Sequence, residues 1–304
     1  MSPLRPRPAG ILVTGATGRV GYRVIEELAD AGAPATAMVR VPARAVDLPP
    51  RVDYVVGTLD GPPPPDVLAG FDQVLLLSPS RDWQVELEVY FIDALIRAGH
   101  QPHVVKIAQD GFQDPDCGVR FMRNHRQVAM HLDGTGLPVT YIAPNLYMDN
   151  LVSMADTIRD SALLPAPAGE GRIGFVATSD VAAVAAHALL TGDQEGAVHT
   201  VTGPEALSYT DVADRISTVF ARHVDYADLP ADQARAEWQA ARMPQWQVDG
   251  MLELFEWVRA GGASTVTSDV RDATGRDPRP IQDWLQEMRG AFVGRPAHTS
   301  PPRL

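Results

Sequence analysis

Several residue types and segments are scarce or absent in this sequence, and each absence excludes a class of protein. One cysteine, Cys117, stands among 304 residues, so no disulfide can form within the chain, which favours a reducing, cytoplasmic location. Because no run of about 18 apolar residues occurs, the sequence predicts no transmembrane helix. Residues 1–10 are rich in proline and arginine and have no apolar segment typical of a signal peptide.

Positive charge is also scarce. The chain has 38 acidic and 26 basic residues and a net charge of −12, which argues against nucleic acid or an anionic membrane as a partner. Only one of the basic residues is a lysine, Lys106, and it lies inside an apolar segment. Since arginine carries the positive charge at every other basic position, Lys106 merits closer inspection.

Common catalytic signatures are missing as well. No cysteine and histidine grouping has the spacing of zinc ligands, so the sequence predicts no metal site. It contains neither a G-x-S-x-G nucleophile elbow nor a G-x-x-x-x-G-K-[ST] phosphate loop. At 304 residues, the chain is nevertheless long enough to bury a large core, as one domain or two lobes.

A glycine-rich segment near the start is the strongest positive signal. An apolar run over residues 11–13 leads into glycines at positions 15, 18 and 21, and a helical pattern follows. This order predicts a strand, a tight turn and a helix start, the arrangement that binds a dinucleotide pyrophosphate. Gly15 would permit the turn, Gly18 would let backbone N–H groups approach the phosphates, and Gly21 would let the helix pack closely. The cofactor-binding turn also includes Thr17, Arg19 and Val20.

The end of the next strand indicates which dinucleotide binds. Residues 35–39 form a short apolar strand that ends at Arg40, and Arg44 follows closely. NAD-binding proteins place an acidic residue here for the ribose 2′-hydroxyl, whereas a guanidinium suits a 2′-phosphate. The sequence therefore predicts NADP(H) rather than NAD(H), with a solvated strand end as the alternative for Arg40.

The first half alternates strand and helix patterns. This alternation predicts an α/β fold with a doubly wound parallel sheet, the Rossmann architecture. The predicted strands are residues 11–13, 35–39, 52–57, 71–77, 103–108 and 138–143, and the predicted helices are residues 23–31, 66–70, 83–98 and 120–132.

The second half is richer in helix patterns. Predicted helices cover residues 151–160, 179–190, 208–222, 230–242 and 246–259, with short strands at 197–202 and 223–226. We expect a Rossmann domain over residues 1–150 and a smaller, interleaved substrate lobe over residues 151–293. The helix at 179–190 should return to the main sheet. The tail at 294–304 is expected to be disordered.

Several motifs in order resemble one known family. They are Val13–Gly21, Val39-Arg40, Leu75–Pro79, Val104–Lys106, His125, Gly136–Thr140, Pro144-Asn145 with Asn150, and Thr202–Leu207. Over roughly residues 10–290, the chain resembles the NmrA-like group of atypical short-chain dehydrogenases/reductases. The resemblance implies an NADP(H)-binding Rossmann domain with a small C-terminal substrate lobe. Members of this family reduce quinones, dyes, ketones or carbon–carbon double bonds, and others act as redox sensors without known turnover.

The chain departs from ordinary short-chain reductases at their catalytic positions. Those enzymes use a serine after the fifth strand and a Tyr-x-x-x-Lys pair on the next helix, where the tyrosine protonates the substrate carbonyl. Here residues 108–110 (Ala-Gln-Asp) and residues 121–125 (Phe-Met-Arg-Asn-His) occupy these positions. The usual acid is therefore missing.

Three residues are candidates to replace the missing catalytic groups. His125 matches the histidine of the family and could hold the ribose hydroxyls or relay a proton, with a partly buried structural histidine as the alternative. Lys106 could bind the cofactor, the backbone or a carboxylate such as Asp110, or it could reach solvent at the strand edge. Gln109 could orient a carbonyl.

The strand ends should converge on one cleft, because ligands of doubly wound sheets bind outside the carboxyl ends of the strands. The ends of the fourth and sixth strands add Ser78 and Asn145 to the predicted cofactor-binding residues. Tyr147, in the loop after the sixth strand, could contact the substrate, although ordinary packing is the alternative.

These observations predict an NADPH-dependent reductase that transfers a hydride to a ketone, quinone or enone. Such acceptors delocalise charge, so a small, apolar and conjugated substrate is expected. The abundance of alanine, proline, glycine and arginine suggests a high-GC bacterial genome and hence a ketoreductase acting on a secondary metabolite, as in antibiotic biosynthesis. The alternative is a non-catalytic NADP(H) sensor that reports to a protein partner.

Overall fold

The computed structural model describes residues 10–50, 52–192 and 196–293, and the chain divides into two units. The first unit comprises Met1–Pro144, Thr178–Val201 and Ser268–Arg276. The second comprises Asn145–Ala177, Thr202–Thr267 and Asp277–Leu304. The predicted tail at 294–304 lies outside the described residues.

A seven-stranded parallel sheet forms the centre of the first unit. Its strands are β1 (Ile11–Val13), β2 (Ala35–Val39), β3 (Asp53–Val56), β4 (Gln73–Leu76), β5 (His103–Ile107), β6 (Val139–Pro144) and β8 (Val198–Val201). They lie in the order β3, β2, β1, β4, β5, β6, β8. The predicted doubly wound sheet is therefore confirmed.

The inner strands are apolar because both faces of the sheet are covered. β1 and β5 are buried at every position, without the alternation of a half-exposed strand. The helices of this unit are α1 (Arg19–Asp30), α2 (Pro65–Leu68), α3 (Gln84–Arg97), α4 (Arg120–Asp133), α6 (Thr178–Thr191) and α10 (Asp269–Thr274). A 3₁₀ helix, Pro42–Asp47, follows β2.

Helix α6 packs against α1 and against strands β4, β5, β6 and β8. Its buried positions include five alanines, whose small side chains allow neighbouring backbones to approach. From α1, Val24, Ile25 and Leu28 are fully buried. Each such aliphatic side chain stabilises the fold by about 1.5–3 kcal/mol relative to exposure. This packing holds α1, and with it the glycine turn, in place.

The strand order changes direction between β1 and β4. Thr14, directly after β1, joins these two strand ends: its hydroxyl donates to the Leu77 carbonyl oxygen at 3.0 Å and accepts from the Leu77 N–H at 2.8 Å. In doubly wound folds, the crevice outside such a switch point is where ligands bind. The fold therefore places the glycine turn at the expected ligand-binding edge.

The second unit is mainly helical and contains a two-stranded parallel sheet of β7 (Leu163–Ala166) and β9 (Asp225–Asp228). Its helices are α5 (Ala155–Ser161), α7 (Tyr209–Phe220), α8 (Ala231–Ala240), α9 (Gln245–Arg259), α11 (Ile281–Glu287) and α12 (Arg289–Phe292), together with a 3₁₀ helix, Met148–Met154. Among the helices in the described part of the chain, none has the length and apolarity that crossing a membrane requires.

Several local features differ from the predictions. Strand β7 was not predicted, because Pro165 within it is atypical of a strand interior and is tolerated only in a small or edge sheet. Helices α10, α11 and α12 were also missed, since they are short. The helix predicted over 151–160 is a 3₁₀ helix at its start. Cys117 is buried, at 4% exposed, with its Sγ atom 3.2 Å from the Met122 sulfur.

Candidate active site

The glycine turn has the backbone geometry that the spacing predicts. Gly15 adopts a φ of +61°, a conformation that side chains disfavour, and an added Cβ there would lie 3.1 Å from the Leu77 carbonyl oxygen. The Gly18 N–H donates to the Gly15 carbonyl oxygen at 2.9 Å, which closes the turn. Thr17, Gly18 and Arg19 are exposed at this point. The turn thus presents its backbone to solvent beside the start of α1.

Gly21 is required by the contact between α1 and the turn. An added Cβ would lie 2.3 Å from the Gly15 carbonyl oxygen and 2.7 Å from the Gly15 carbonyl carbon. These are backbone atoms, which cannot rotate away as a side chain would. Gly21 therefore lets the first turn of α1 sit directly on the glycine turn.

The start of α1 offers unpaired backbone donors. The N-cap residue is Gly18, which has no side chain to cap the helix, and no acidic residue occupies the first turn. Helix geometry leaves the N–H groups of Arg19, Val20 and Gly21 without intrahelical acceptors. An anion is favoured at such a helix start by the exposed N–H groups and by the helix dipole. These residues therefore fit the pyrophosphate of a dinucleotide.

Arg40 is exposed immediately after β2, the strand next to β1. It precedes the 3₁₀ helix at Pro42–Asp47, where the Arg44 side chain lies 3.5 Å from Asp47. The Arg40 guanidinium is thus at the carboxyl edge of the sheet, the position that decides between a 2′-hydroxyl and a 2′-phosphate.

A buried polar cluster lies beyond the carboxyl end of β4 and along β5. It consists of Ser78, Gln84, Glu88, Lys106 and His125. Glu88 and Gln84 are fully buried, Lys106 is 1% exposed and His125 is 7% exposed. Ser78 donates to Glu88 Oε1 at 2.5 Å, and Gln84 Nε2 donates to the same oxygen at 3.1 Å. We call these five side chains the Glu88 cluster.

Lys106 is at the centre of the Glu88 cluster. Its Nζ lies 2.9 Å from Glu88 Oε2 and 3.2 Å from Glu88 Oε1, donates to the carbonyl oxygen of Ile107, and lies 3.4 Å from His125 Nδ1. Burial lowers the Lys106 pKa, and the Glu88 carboxylate partly offsets that effect. The strand-edge interpretation of Lys106 is therefore wrong. The sequence suggested Asp110 as its carboxylate, and the structure supplies Glu88.

His125 accepts hydrogen bonds at Nδ1. Both groups that face this atom at 3.4 Å, Lys106 Nζ and Gln84 Nε2, are donors only. The ring proton therefore resides on Nε2. Burial, together with the Lys106 charge, lowers the His125 pKa well below its ordinary value, so the ring is neutral near pH 7.

His125 bonds through only one of its two ring nitrogens. Within the described residues, its hydrogen-bond contacts are to Nδ1, and none is to Nε2. The Nε2–H group is thus available to a ligand.

The sequence-based predictions did not include Glu88 and Gln84, although the pattern of buried positions on α3 indicated them. The buried positions of α3 include 84, 88, 91, 92 and 95, which is the apolar stripe of an amphipathic helix. A glutamate on such a stripe needs a buried partner. The only lysine of the chain, inside an apolar strand, is the complementary signal.

The remaining predicted site residues have other surroundings. Gln109 is half-buried after β5, and its carbonyl oxygen accepts from the Phe112 N–H at 3.1 Å. Asn145 and Tyr147 belong to the second unit. The Asn145 amide donates to the Ala263 carbonyl oxygen at 2.9 Å, and its Oδ1 accepts from the Leu146 N–H. Tyr147 is half-buried, and burial, with a contribution from Asp149, raises its pKa.

The lowered His125 pKa makes stability depend on pH. In the unfolded chain, His125 has a pKa near 6.5 and takes up a proton below that pH, whereas the folded protein does not. We therefore expect the free energy of unfolding to fall by up to about 1.4 kcal/mol between pH 7.5 and pH 5.5 through this residue. Denaturant titrations at the two pH values should show a smaller fall for His125→Gln than for the wild type.

The control is His223→Gln, because the His223 side chain is 80% exposed. This variant should show the wild-type fall. An equal fall in the wild type and in His125→Gln would contradict the lowered pKa of His125.

Comparison with known proteins places the chain in a family. The NmrA-like family model matches residues 8–279. The chain belongs to the NmrA-like family. It is 32% identical to a (4-alkanoyl-5-oxo-2,5-dihydrofuran-3-yl)methyl phosphate reductase of Streptomyces griseus and, again, 32% identical to an NAD(P)H azoreductase of Xenophilus azovorans. Each alignment spans 284 residues, 93% of this chain and 99% of the relative.

Solved structures share the fold of this NmrA-like protein. An NADPH-dependent quinone oxidoreductase of Escherichia coli, in complex with NADPH, superposes with a TM-score of 0.83 at 21% sequence identity. The match covers 92% of this chain and 99% of the oxidoreductase. The family model and the two relatives at 32% identity confirm the sequence-based assignment to the NmrA-like group.

Proposed function

We propose that this NmrA-like protein is an NADPH-dependent reductase that transfers a hydride to a ketone, quinone or enone without the usual serine, tyrosine and lysine. The observation that carries the proposal is the glycine turn at the switch point, with Arg40 at the end of β2, in a chain related over nearly its full length to two reductases. At the level of an oxidoreductase that uses NADP(H), the comparisons confirm the prediction.

The cofactor would be held by the first unit. The N–H groups of Arg19, Val20 and Gly21 suit the pyrophosphate, and the Arg40 guanidinium suits the 2′-phosphate. When bound, NADPH supplies the hydride. The chain's own residues position the acceptor, and His125 Nε2–H is the donor available to its oxygen. The roles predicted for Thr17, Ser78, Gln109, Asn145 and Tyr147 stay predictions.

The substrate class follows from the missing acid and from the relatives. An acceptor with conjugated, electron-poor bonds spreads the charge that hydride transfer creates, so positioning can supply most of the acceleration. The two relatives at 32% identity are named for reduction of an azo compound and of an alkanoyl furanone phosphate. We propose a conjugated bacterial secondary metabolite as the substrate.

The direct test is NADPH oxidation with a panel of quinones, conjugated ketones and enones, monitored by loss of NADPH absorbance. Turnover with at least one acceptor is the expected result. Tight NADPH binding without turnover on any acceptor would contradict the reductase proposal. In that case, a protein partner that co-purifies with only the NADPH-bound or only the NADP-bound form would favour the alternative, a non-catalytic NADP(H) sensor.

Arg40 should give the protein a higher affinity for NADPH than for NADH. Arg40→Ala should weaken NADPH binding by about 1–3 kcal/mol, the value of a hydrogen bond to a charged group, and leave NADH binding unchanged. Fluorescence titration of both cofactors measures this. Arg97→Ala is the matched control, because Arg97 lies over the Tyr90 ring on α3. Equal losses for NADPH and NADH in Arg40→Ala would show that this position does not bind the 2′-phosphate.

A further inference from the structure

The reductase proposal leaves one chemical requirement open. A hydride that adds to a neutral carbonyl or quinone leaves a negative oxygen, and that oxygen needs a proton. Ordinary short-chain reductases take it from tyrosine, which this chain lacks at the corresponding position. The proton must come from another group or from water.

Lys106 does not have a donor left for a ligand. An ammonium group has three N–H donors. Within the described residues, Lys106 Nζ faces three acceptors: the Glu88 carboxylate, the Ile107 carbonyl oxygen and His125 Nδ1. Lys106 can therefore act on a ligand only through His125.

His125 links this buried ammonium to an N–H donor that is not used within the described residues. Its Nδ1 faces Lys106 Nζ at 3.4 Å, and its Nε2–H makes no hydrogen bond there. Catalytic hydrogen bonds are often this long before the substrate binds and shorten in the complex. A neutral imidazole with a donor at one nitrogen and an available N–H at the other is arranged to pass a proton across the ring.

We infer that Lys106 and His125 form a proton relay that replaces the missing tyrosine, an inference that rests on the proposed reductase function. The new C–H bond forms from the hydride, and the carbonyl π pair moves to the oxygen. The oxygen takes the proton from His125 Nε2, and Nδ1 takes a proton from Lys106 Nζ. Lys106 is left neutral beside Glu88. After the product leaves, water protonates Nε2, and the Nδ1 proton returns to Lys106.

The other members of the Glu88 cluster position the relay. Glu88 holds Lys106 beside Nδ1, while Ser78 and Gln84 both donate to Glu88 Oε1. Gln84 Nε2 also faces Nδ1, which keeps that nitrogen an acceptor. In this arrangement His125 is the catalytic residue, and Lys106 and Glu88 are positioning residues that act through it.

The first test is the His125 tautomer in the protein without cofactor. Nitrogen NMR of histidine-labelled protein, with the His125 signals identified by their loss in His125→Gln, should show an unprotonated Nδ1 and a protonated Nε2. The Gln84→Met/Glu88→Gln/Lys106→Met variant removes both donors that face Nδ1, and its His125 ring should sample both tautomers. A protonated Nδ1 in the wild type, or an unchanged tautomer in this triple variant, would overturn the relay.

His103 is the internal control for this experiment. It is also buried on β5, but its ring nitrogens bond to Gln73 Oε1 at 2.7 Å and to Thr140 Oγ1 at 2.8 Å. Its signals should be unchanged in the triple variant, which shows that the sheet has kept its structure.

The second test compares two hydride acceptors. A cationic triphenylmethane dye becomes neutral on accepting a hydride and needs no proton, whereas a conjugated ketone does. The Glu88→Gln/Lys106→Met variant should lose about 10²-fold or more in kcat with the ketone and keep its dye rate within about threefold. Equal losses with both acceptors would overturn the relay while leaving the reductase proposal intact. If wild type transfers hydride to no acceptor, the reductase proposal fails, and the NMR result still decides the tautomer.

Discussion

Replacing Lys106 with methionine should lower the free energy of unfolding by about 3–5 kcal/mol, because it leaves the fully buried Glu88 carboxylate without its counter-charge. The loss arises from the unpaired charge and not from the aliphatic stem, which methionine largely replaces. Urea unfolding followed by circular dichroism measures it. Such a loss is a large share of the 5–15 kcal/mol by which domains are usually stable.

The matched experiment removes both charges. Glu88→Gln/Lys106→Met should be considerably more stable than Lys106→Met, since buried ion pairs are often replaced by neutral residues at little cost. Arg276→Ala, which breaks an exposed pair with Glu27 at 3.3 Å, is the surface control and should cost less than about 1 kcal/mol. If Lys106→Met and Glu88→Gln/Lys106→Met have the same free energy of unfolding, the unpaired Glu88 charge does not cause the loss of stability.

Replacing Gly21 with alanine should lower both the free energy of unfolding and the affinity for NADPH. The added Cβ would lie 2.3 Å from the Gly15 carbonyl oxygen, so α1 or the turn must move. Overpacking of this kind costs about 1–3 kcal/mol. Because the same movement displaces the N–H groups at the start of α1, NADPH affinity should fall about tenfold or more, a loss of at least 1.4 kcal/mol. Urea unfolding and NADPH titration measure the two effects.

Gly290→Ala provides the control for this substitution. Gly290 also lies in a helix, α12, but an added Cβ there would meet no atom within 4 Å. This variant should change stability by no more than about 0.5 kcal/mol and leave NADPH binding unchanged. Normal NADPH affinity in Gly21→Ala would mean that the turn does not hold the pyrophosphate.

Together, these variants separate two parts of the same unit. The Gly21 and Arg40 variants test how the cofactor is held. The Lys106 and Glu88 variants test how the proton donor, His125, is positioned. A protein that binds NADPH normally but has lost the Glu88 cluster should retain hydride transfer to acceptors that need no proton. The two functions can therefore fail independently.

The sequence by itself determined the sheet, the glycine turn and the family. These depend on local patterns: apolar strands buried on both faces, glycines at fixed spacing before a helix, and Arg40 directly after a strand. Each pattern involves residues close in the chain, so its physical requirement, such as the positive φ of Gly15, is visible in the sequence.

Only the tertiary structure decided what surrounds Lys106. Glu88 is 18 residues before it and His125 is 19 residues after it, and no local pattern specifies that the three meet. They meet because α3 and α4 pack together and Lys106 on β5 contacts a residue of each helix. Burial in that packing lowers the pKa values of Lys106 and His125. The two donors that face Nδ1, Lys106 Nζ and Gln84 Nε2, place the imidazole proton on Nε2.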